Sequence, residues 1–182
     1  MLRGEKVVLR ALEREDLKRL HELASNVDLE MLASGAWEPW SLAAEEKDFE
    51  KHLEDQDKAD FAIEANGKVI GTTGLHRWRN RRAGVASLGI TIYDREYLGK
   101  GYGRDALNVL LDWSFRIQNF RRIWLETLAS NERAVHSYQA VGFRVEGRLR
   151  QHEYHDGAYE DVLVMGILRE EWEAARAATP PA

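Results

Sequence analysis

The chain has 182 residues, enough for one domain with a sizeable core, and carries a formal net charge of -5. It contains no cysteine, which excludes disulfides, thiolate metal sites and a cysteine nucleophile. No stretch has the apolar length of a membrane span, no N-terminal run resembles a signal peptide, and the acidic balance weighs against nucleic acid. A cytoplasmic protein with no membrane or nucleic-acid partner is expected, and its charge suits a cationic ligand.

Lys6–Ala11 alternates in polarity and predicts a first strand. Glu13–Ala24 predicts a helix, with Glu15 and Asp16 at its positive end and Leu17, Leu20 and Ala24 as its apolar stripe. Residues 26–34 are less regular and suggest a short helical piece. Gly35–Trp40 reads as a loop. Its Trp37 and Trp40 either close over the core or form an apolar wall for a substrate, with Glu38 meeting a cation. Ser41 suits the N-cap of a helix reaching about Gln56, and the acidic run from Glu45 to Asp57 predicts a mostly solvated face. Asp60–Ala65, Asn66-Gly67 and Lys68–Arg77 predict a hairpin, because Asn-Gly supplies the two positive-φ positions of a tight turn. The basic stretch after it (Arg77, Arg79, Arg81, Arg82) predicts a solvated tip rather than an RNA site.

Gly84–Tyr93 predicts the next strand and Arg104–Ile117 an amphipathic helix. Leu107, Leu110, Leu111, Ser114 and Ile117 would face the sheet, while Asn108, Asp112 and Arg116 face water. Between strand and helix lies Tyr97-Leu98-Gly99-Lys100-Gly101-Tyr102-Gly103-Arg104. Glycines in such a turn bare several N–H groups at the positive end of a helix, and Lys100 and Arg104 add charge. The expectation is a cradle for a diphosphate. The spacing fits neither a P-loop nor a dinucleotide fingerprint, so on these residues alone a tight turn without a ligand stays open.

Arg122–Leu128 predicts a strand parallel to Gly84–Tyr93, since a helix joins them and a right-handed crossover is the rule. Glu132–Val141 predicts a helix that Asn131 can cap, with Gly142 as its left-handed end. Phe143–His155, the Asp156-Gly157 turn and Ala158–Arg169 predict a last hairpin. A short helix with Trp172 completes a domain over residues 1–176, and residues 177–182 are expected to be a disordered tail.

The glycine turn, its helix, the next strand and the series Asn131, Ala134, Tyr138, Gly142 and Phe143 together resemble the GNAT superfamily of acyl-CoA-dependent N-acetyltransferases. Gly101 and Gly103 match that family's glycines, and Leu98 stands where Gln or Arg is usual. Val8-Leu9-Arg10, Glu13–Leu17 and Val145–Leu149 resemble the branch holding the ribosomal-protein N-terminal and spermidine acetyltransferases. The resemblance runs from Val7 to Leu168. It implies an α/β (α+β) fold: one GNAT-like domain with a mixed, mostly antiparallel central sheet, two splayed parallel strands and flanking helices. It also implies acetyl transfer from acetyl-CoA, as co-substrate and without a metal, to a primary amine by direct attack. A protein N-terminus, a polyamine or a small amine would serve as acceptor, and a homodimer is compatible with it.

The resemblance carries site residues with it. Pantetheine would lie along Gly89, Ile90, Thr91 and Ile92, and the pyrophosphate on Leu98, Gly99, Lys100, Gly101, Tyr102, Gly103 and Arg104. Asn131 would also bind coenzyme. Tyr138, two turns further on the same helix face, would act as the acid for the leaving thiolate. Trp37, Glu38 and Trp40 would lie on the acceptor side. So would Ser87, which stands where relatives often carry a glutamate base. The proton acceptor is then Glu126, His76 or a water chain, and Glu126 is paired with Tyr138 as the catalytic set. Ser87 also motivates an alternative, an acyl-CoA-binding sensor or partner domain with little or no turnover.

Overall fold

The computed structural model describes residues 1–25, 40–55, 57–77 and 83–178. Within them the order is β1 Leu2–Arg3, β2 Val8–Ala11, α1 Arg14–Ala24, α2 Leu42–Glu54, β3 Lys58–Ala65, β4 Lys68–Arg77 and β5 Val85–Ile92. There follow α3 Tyr102–Asp112, β6 Arg122–Leu128, α4 Glu132–Ala140, β7 Arg144–His155, β8 Ala158–Leu168 and α5 Arg169–Ala177. The eight strands form one sheet in the order β1-β2-β3-β4-β5-β6-β8-β7. Every neighbouring pair is antiparallel except β5 and β6. Among the described residues no helix is long and apolar enough to cross a membrane.

Local chemistry accounts for most of these elements. Asn66 (φ 52) and Gly67 (φ 72) turn the β3–β4 hairpin, and Asp156 (φ 45) and Gly157 (φ 84) turn β7–β8. The Ser41 side chain accepts from the Ala44 amide at the head of α2. Asp16 accepts from the Glu13 amide and takes two bonds from the Arg10 guanidinium, at 2.7 and 2.8 Å, which fastens α1 to β2. Burial alone would raise the Asp16 pKa, but Arg10 and the Glu13 amide outweigh it and hold the carboxyl below its ordinary value.

One face of the sheet carries Leu9, Ile63, Leu75, Ala86, Leu88, Ile123 and Leu125 into a core completed by Leu107, Leu110, Leu111 and Phe115 of the α3 segment. Tyr138 and Phe143 belong to the same core, so α4 packs on that face. On β5 and β6 the other parity holds Ser87, Gly89, Trp124 and Glu126, none of them buried.

Several expectations need correcting. The long helix starts at Tyr102, not Arg104, and its last turn, Trp113–Ile117, is a π-helix. A π-turn holds one more residue than an α-turn, so the apolar phase slips. Phe115 is 1 % exposed in the core, whereas Ile117 is 58 % exposed rather than facing the sheet. Helix α2 ends at Glu54, which leaves Asp55 and Asp57 outside it. A two-residue strand, β1, precedes the expected first one. Helix α5 runs through Ala177, so ordered structure passes the expected boundary at 176. The helical piece at 26–34, Trp37, Glu38 and the basic turn at 78–82 lie outside the described residues.

Candidate active site

The two parallel strands pair only at Val85–Arg122, Ala86–Ile123 and Ser87–Trp124. Beyond that rung β5 continues to Ile92 against β4, and β6 continues to Leu128 against β8. The strands therefore part, and backbone groups on the facing edges lose their ladder partners. Where buried, such groups need another partner. A cleft of about 330 Å³ occupies the gap.

Three elements close the cleft. Its first wall is Leu88 to Ile92 of β5. The buried Thr73 hydroxyl donates to the Gly89 carbonyl at 2.8 Å and fixes that strand from behind. The second wall is the glycine turn with the start of α3, including Leu98, Gly99, Gly101, Gly103, Arg104 and Leu107. Gly99 (φ 69) and Gly101 (φ 86) hold left-handed conformations, the second as the N-cap of α3. Gly103 is different: a Cβ there would meet only Ile92 Cγ1, at an ordinary 3.7 Å. The fold itself has no steric need of glycine at that position, whereas an anion drawn onto the helix amides does. A Cβ at Gly101 would point toward Lys6 Nζ, 3.6 Å away. That ammonium donates to the Lys100 carbonyl at 3.0 Å, so the turn is braced by the N-terminal segment.

The third wall comes from the end of β6 and from α4, with Glu126, Thr127, Asn131, Arg133, Ala134, Ser137 and Tyr138. Asn131 caps α4 by accepting from the Ala134 amide at 3.1 Å. Tyr138 is buried, and burial pushes its phenol up to about 12. It stays protonated at neutral pH. The cleft walls thus carry cations at the turn and at α4, Arg104 and Arg133, and an acid on β6, Glu126.

The residues expected from the sequence divide accordingly. Ile90, Thr91, Ile92, Leu98, Gly99, Gly101, Gly103, Arg104, Asn131, Glu126 and Tyr138 come together around the cleft. Lys100 and Tyr102 are in the turn but not on the cleft wall; the Tyr102 ring packs edge-on against Tyr97 at 4.9 Å. Ser87 sits on the last parallel rung, just outside the wall, and its hydroxyl donates to the His76 carbonyl at 3.4 Å. His76 is its cross-strand partner on β4. Desolvation lowers the His76 pKa even though the Asp60 carboxylate pulls it upward. Trp40 is 49 % exposed ahead of α2 and away from the cleft walls. Arg133 and Ser137 went unnoticed in the sequence although they are one helical turn apart beside Asn131 and Tyr138. Tyr97 carried no local signal.

Residues 6–144 match the acetyltransferase (GNAT) domain family. The chain is 32% identical over 171 residues to spermidine N(1)-acetyltransferase of Escherichia coli K12, covering 92% of this chain and 89% of that protein. A spermidine N-acetyltransferase from Vibrio cholerae, solved in complex with CoA and spermine, superposes with a TM-score of 0.85 at 34% identity. That match covers 93% of this chain and 99% of that one. A dodecameric structure of the Vibrio cholerae enzyme superposes at 0.79, with 33% identity and coverage of 93% and 97%.

Proposed function

The chain belongs to the GNAT acetyltransferase family and is an acetyl-CoA-dependent N-acetyltransferase, and from that premise we propose that its acceptor is a polyamine of the spermidine class. The observation that carries the site assignment is the convergence, in one cleft, of the glycine turn, the free edge of β5, Glu126 and Tyr138. The amides of Leu98 to Arg104 and the Arg104 side chain hold the diphosphate. Pantetheine follows the β5 edge from Ile92 back toward Gly89. This sets the thioester near the point where the strands part.

Tyr138 reaches that point from the helix-covered side, whereas Ser87, Gly89 and Glu126 border it from the other face of the sheet. The amine and the departing sulfur then lie on opposite sides of the carbonyl. An amine with a pKa near ~10.4 arrives protonated and must lose a proton before attack. Glu126 accepts it. The nitrogen bonds to the thioester carbon, the C–S bond breaks, and the thiolate leaves against the Tyr138 hydroxyl. The second amine proton passes to solvent. A coenzyme sensor without turnover receives no support from relatives named for their acetyltransferase activity.

The acceptor is tested with acetyl-CoA and a panel of spermidine, propylamine and a peptide with a free N-terminus, following thiol release. Spermidine is expected to be acetylated with the highest kcat/KM. A peptide preferred over every polyamine would overturn the acceptor assignment and leave the transferase reaction standing. The same reading extends to a homo-oligomer, on the precedent of the dodecameric relative.

A further inference from the structure

The open face of the sheet beside the cleft has a second feature, set by strand register. Lys58, His76, Ser87 and Trp124 form one rung across β3, β4, β5 and β6. The next rung on that face is Asp60, Gly74 and Gly89, with Glu126 at the same level across the gap. Residues directly opposite in a sheet share a face, and residues two apart keep to it. The rung therefore has a carboxylate at each end and two residues without side chains between them.

Neither glycine is explained by a turn. A Cβ on Gly74 would lie 2.4 Å from Asp60 Oδ1, so the Asp60 carboxylate leans across β4 into the space a side chain would fill. A Cβ on Gly89 would meet nothing within 4 Å, and its φ is not left-handed. Packing and backbone both permit a larger residue at 89. Glycine inside a strand weakens it and often marks close approach of a ligand. Gly89 also lines the cleft, and the Asp60 carboxylate overlies Gly74, its neighbour on the same rung. No hydrogen bond or ion pair ties the Asp60 carboxylate to another described residue. The neighbouring Lys58 ammonium turns the other way, to His52 Nε2 at 2.7 Å.

We propose that Gly89 floors a short trough along which the acceptor lies, closed at its far end by the Asp60 carboxylate over Gly74, and that Asp60 binds its distal ammonium while the reacting amine meets Glu126. The inference rests on the polyamine reading above. Two strand spacings of about 4.8 Å and the wider gap where β5 and β6 part put the two acidic backbones more than ~14 Å apart, and the Asp60 carboxylate, leaning inward over Gly74, shortens the reach between the acids to roughly 10 Å. Two nitrogens on a three- or four-carbon spacer, ~5–6 Å apart, with a hydrogen bond of ~2.8 Å at each end, span that interval. A monoamine of the same length reaches only one carboxylate.

The test compares propane-1,3-diamine and spermidine with propylamine, in the wild type and in Asp60→Asn. The variant should raise KM for the diamine and spermidine about ten-fold or more, the loss of one charge-assisted contact. KM for propylamine and for acetyl-CoA should not move, and Asp60→Glu should restore much of the diamine preference. A wild type that favours the diamine and an Asp60→Asn variant that favours it equally would overturn the trough alone. A wild type with no preference for di- or polyamines would overturn the acceptor reading and the trough together. Should Asp60→Asn fail to fold, Asp60→Ser carries the same comparison.

Discussion

Tyr138 shows how one environment sets one role. Its phenol is pushed to about 12 by burial, far above a coenzyme-type thiol near ~8.5. In the proposed reaction full transfer of its proton to the thiolate is uphill, and the role left to the group is a hydrogen bond donated while charge develops on sulfur. Tyr138→Phe keeps the ring against Phe143, whose centroid is 5.9 Å away, and deletes only that donor. The expected result is a kcat about ten-fold lower or more, with acetyl-CoA affinity nearly unchanged. The raised pKa also gives a sign for pH. The protonated, active form persists above the ordinary phenol value of about 10, so wild-type kcat should show no loss from this group on crossing it. A fall in kcat centred there that Tyr138→Phe abolishes would contradict burial as the controlling influence, and an unchanged kcat in the variant would remove Tyr138 from the reaction.

At the scale of the element, α4 depends on how it stops. The Gly142 amide bonds to the Gln139 carbonyl and the Phe143 amide to the Tyr138 carbonyl, the paired closure of a helix through a left-handed residue. Gly142 has φ 106, and a Cβ there would come within 3.0 Å of Ile167 Cδ1. Gly142→Ala should therefore cost about 1–2 kcal/mol. That is a fall in Tm of about 2–8 °C for a chain this size. Because the strained turn is bonded to Tyr138, kcat should fall as well. Thermal melts and initial rates check both, and a variant as stable and as fast as wild type would show that the turn relaxes freely. This cap was legible in the sequence because its signal is local, as were both hairpin turns and the N-cap at Ser41. The π-turn after α3 was not. Its residues carry the same periodic signal as an α-helix, and only packing against Trp172, 5.4 Å from Phe115, reveals the shifted phase. Nor was the pairing of Asp60 with Gly74 legible: the Asn66-Gly67 turn alone sets Asp60 opposite Thr73, and a bulge between Ile63 and Glu64 shifts the register by one.

Over the whole molecule, the glycine turn is positioned by a segment about a hundred residues earlier in the chain. The Asp105 carboxylate, in the first turn of α3, accepts from the amides of Glu5, Lys6 and Val7 at 3.2, 2.7 and 3.0 Å. A Cβ at Gly4 would lie 2.3 Å from Asp105 Oδ2, so glycine is what lets the chain close over the carboxylate. Lys6 then continues to the Lys100 carbonyl and lies 5.6 Å from the centre of the Tyr102 ring. A run of three amides on one anion resembles the way the turn itself is expected to hold phosphate, with the protein supplying the anion. Asp105→Ala removes the acceptor and leaves three donors to water, at a cost of about 1–3 kcal/mol since most of them are exposed. The turn also loses its brace, so KM for acetyl-CoA should rise several-fold and the thermal stabilisation given by CoA should shrink. Asp105→Asn keeps one acceptor oxygen and should fall between. The measurement is a pair of melts, with and without CoA, for each variant. If Asp105→Ala melts lower but gains as much from CoA as the wild type, the N-terminal segment stabilises the fold without shaping the coenzyme site. If it melts lower and gains less, the two ends of the chain are coupled through this carboxylate.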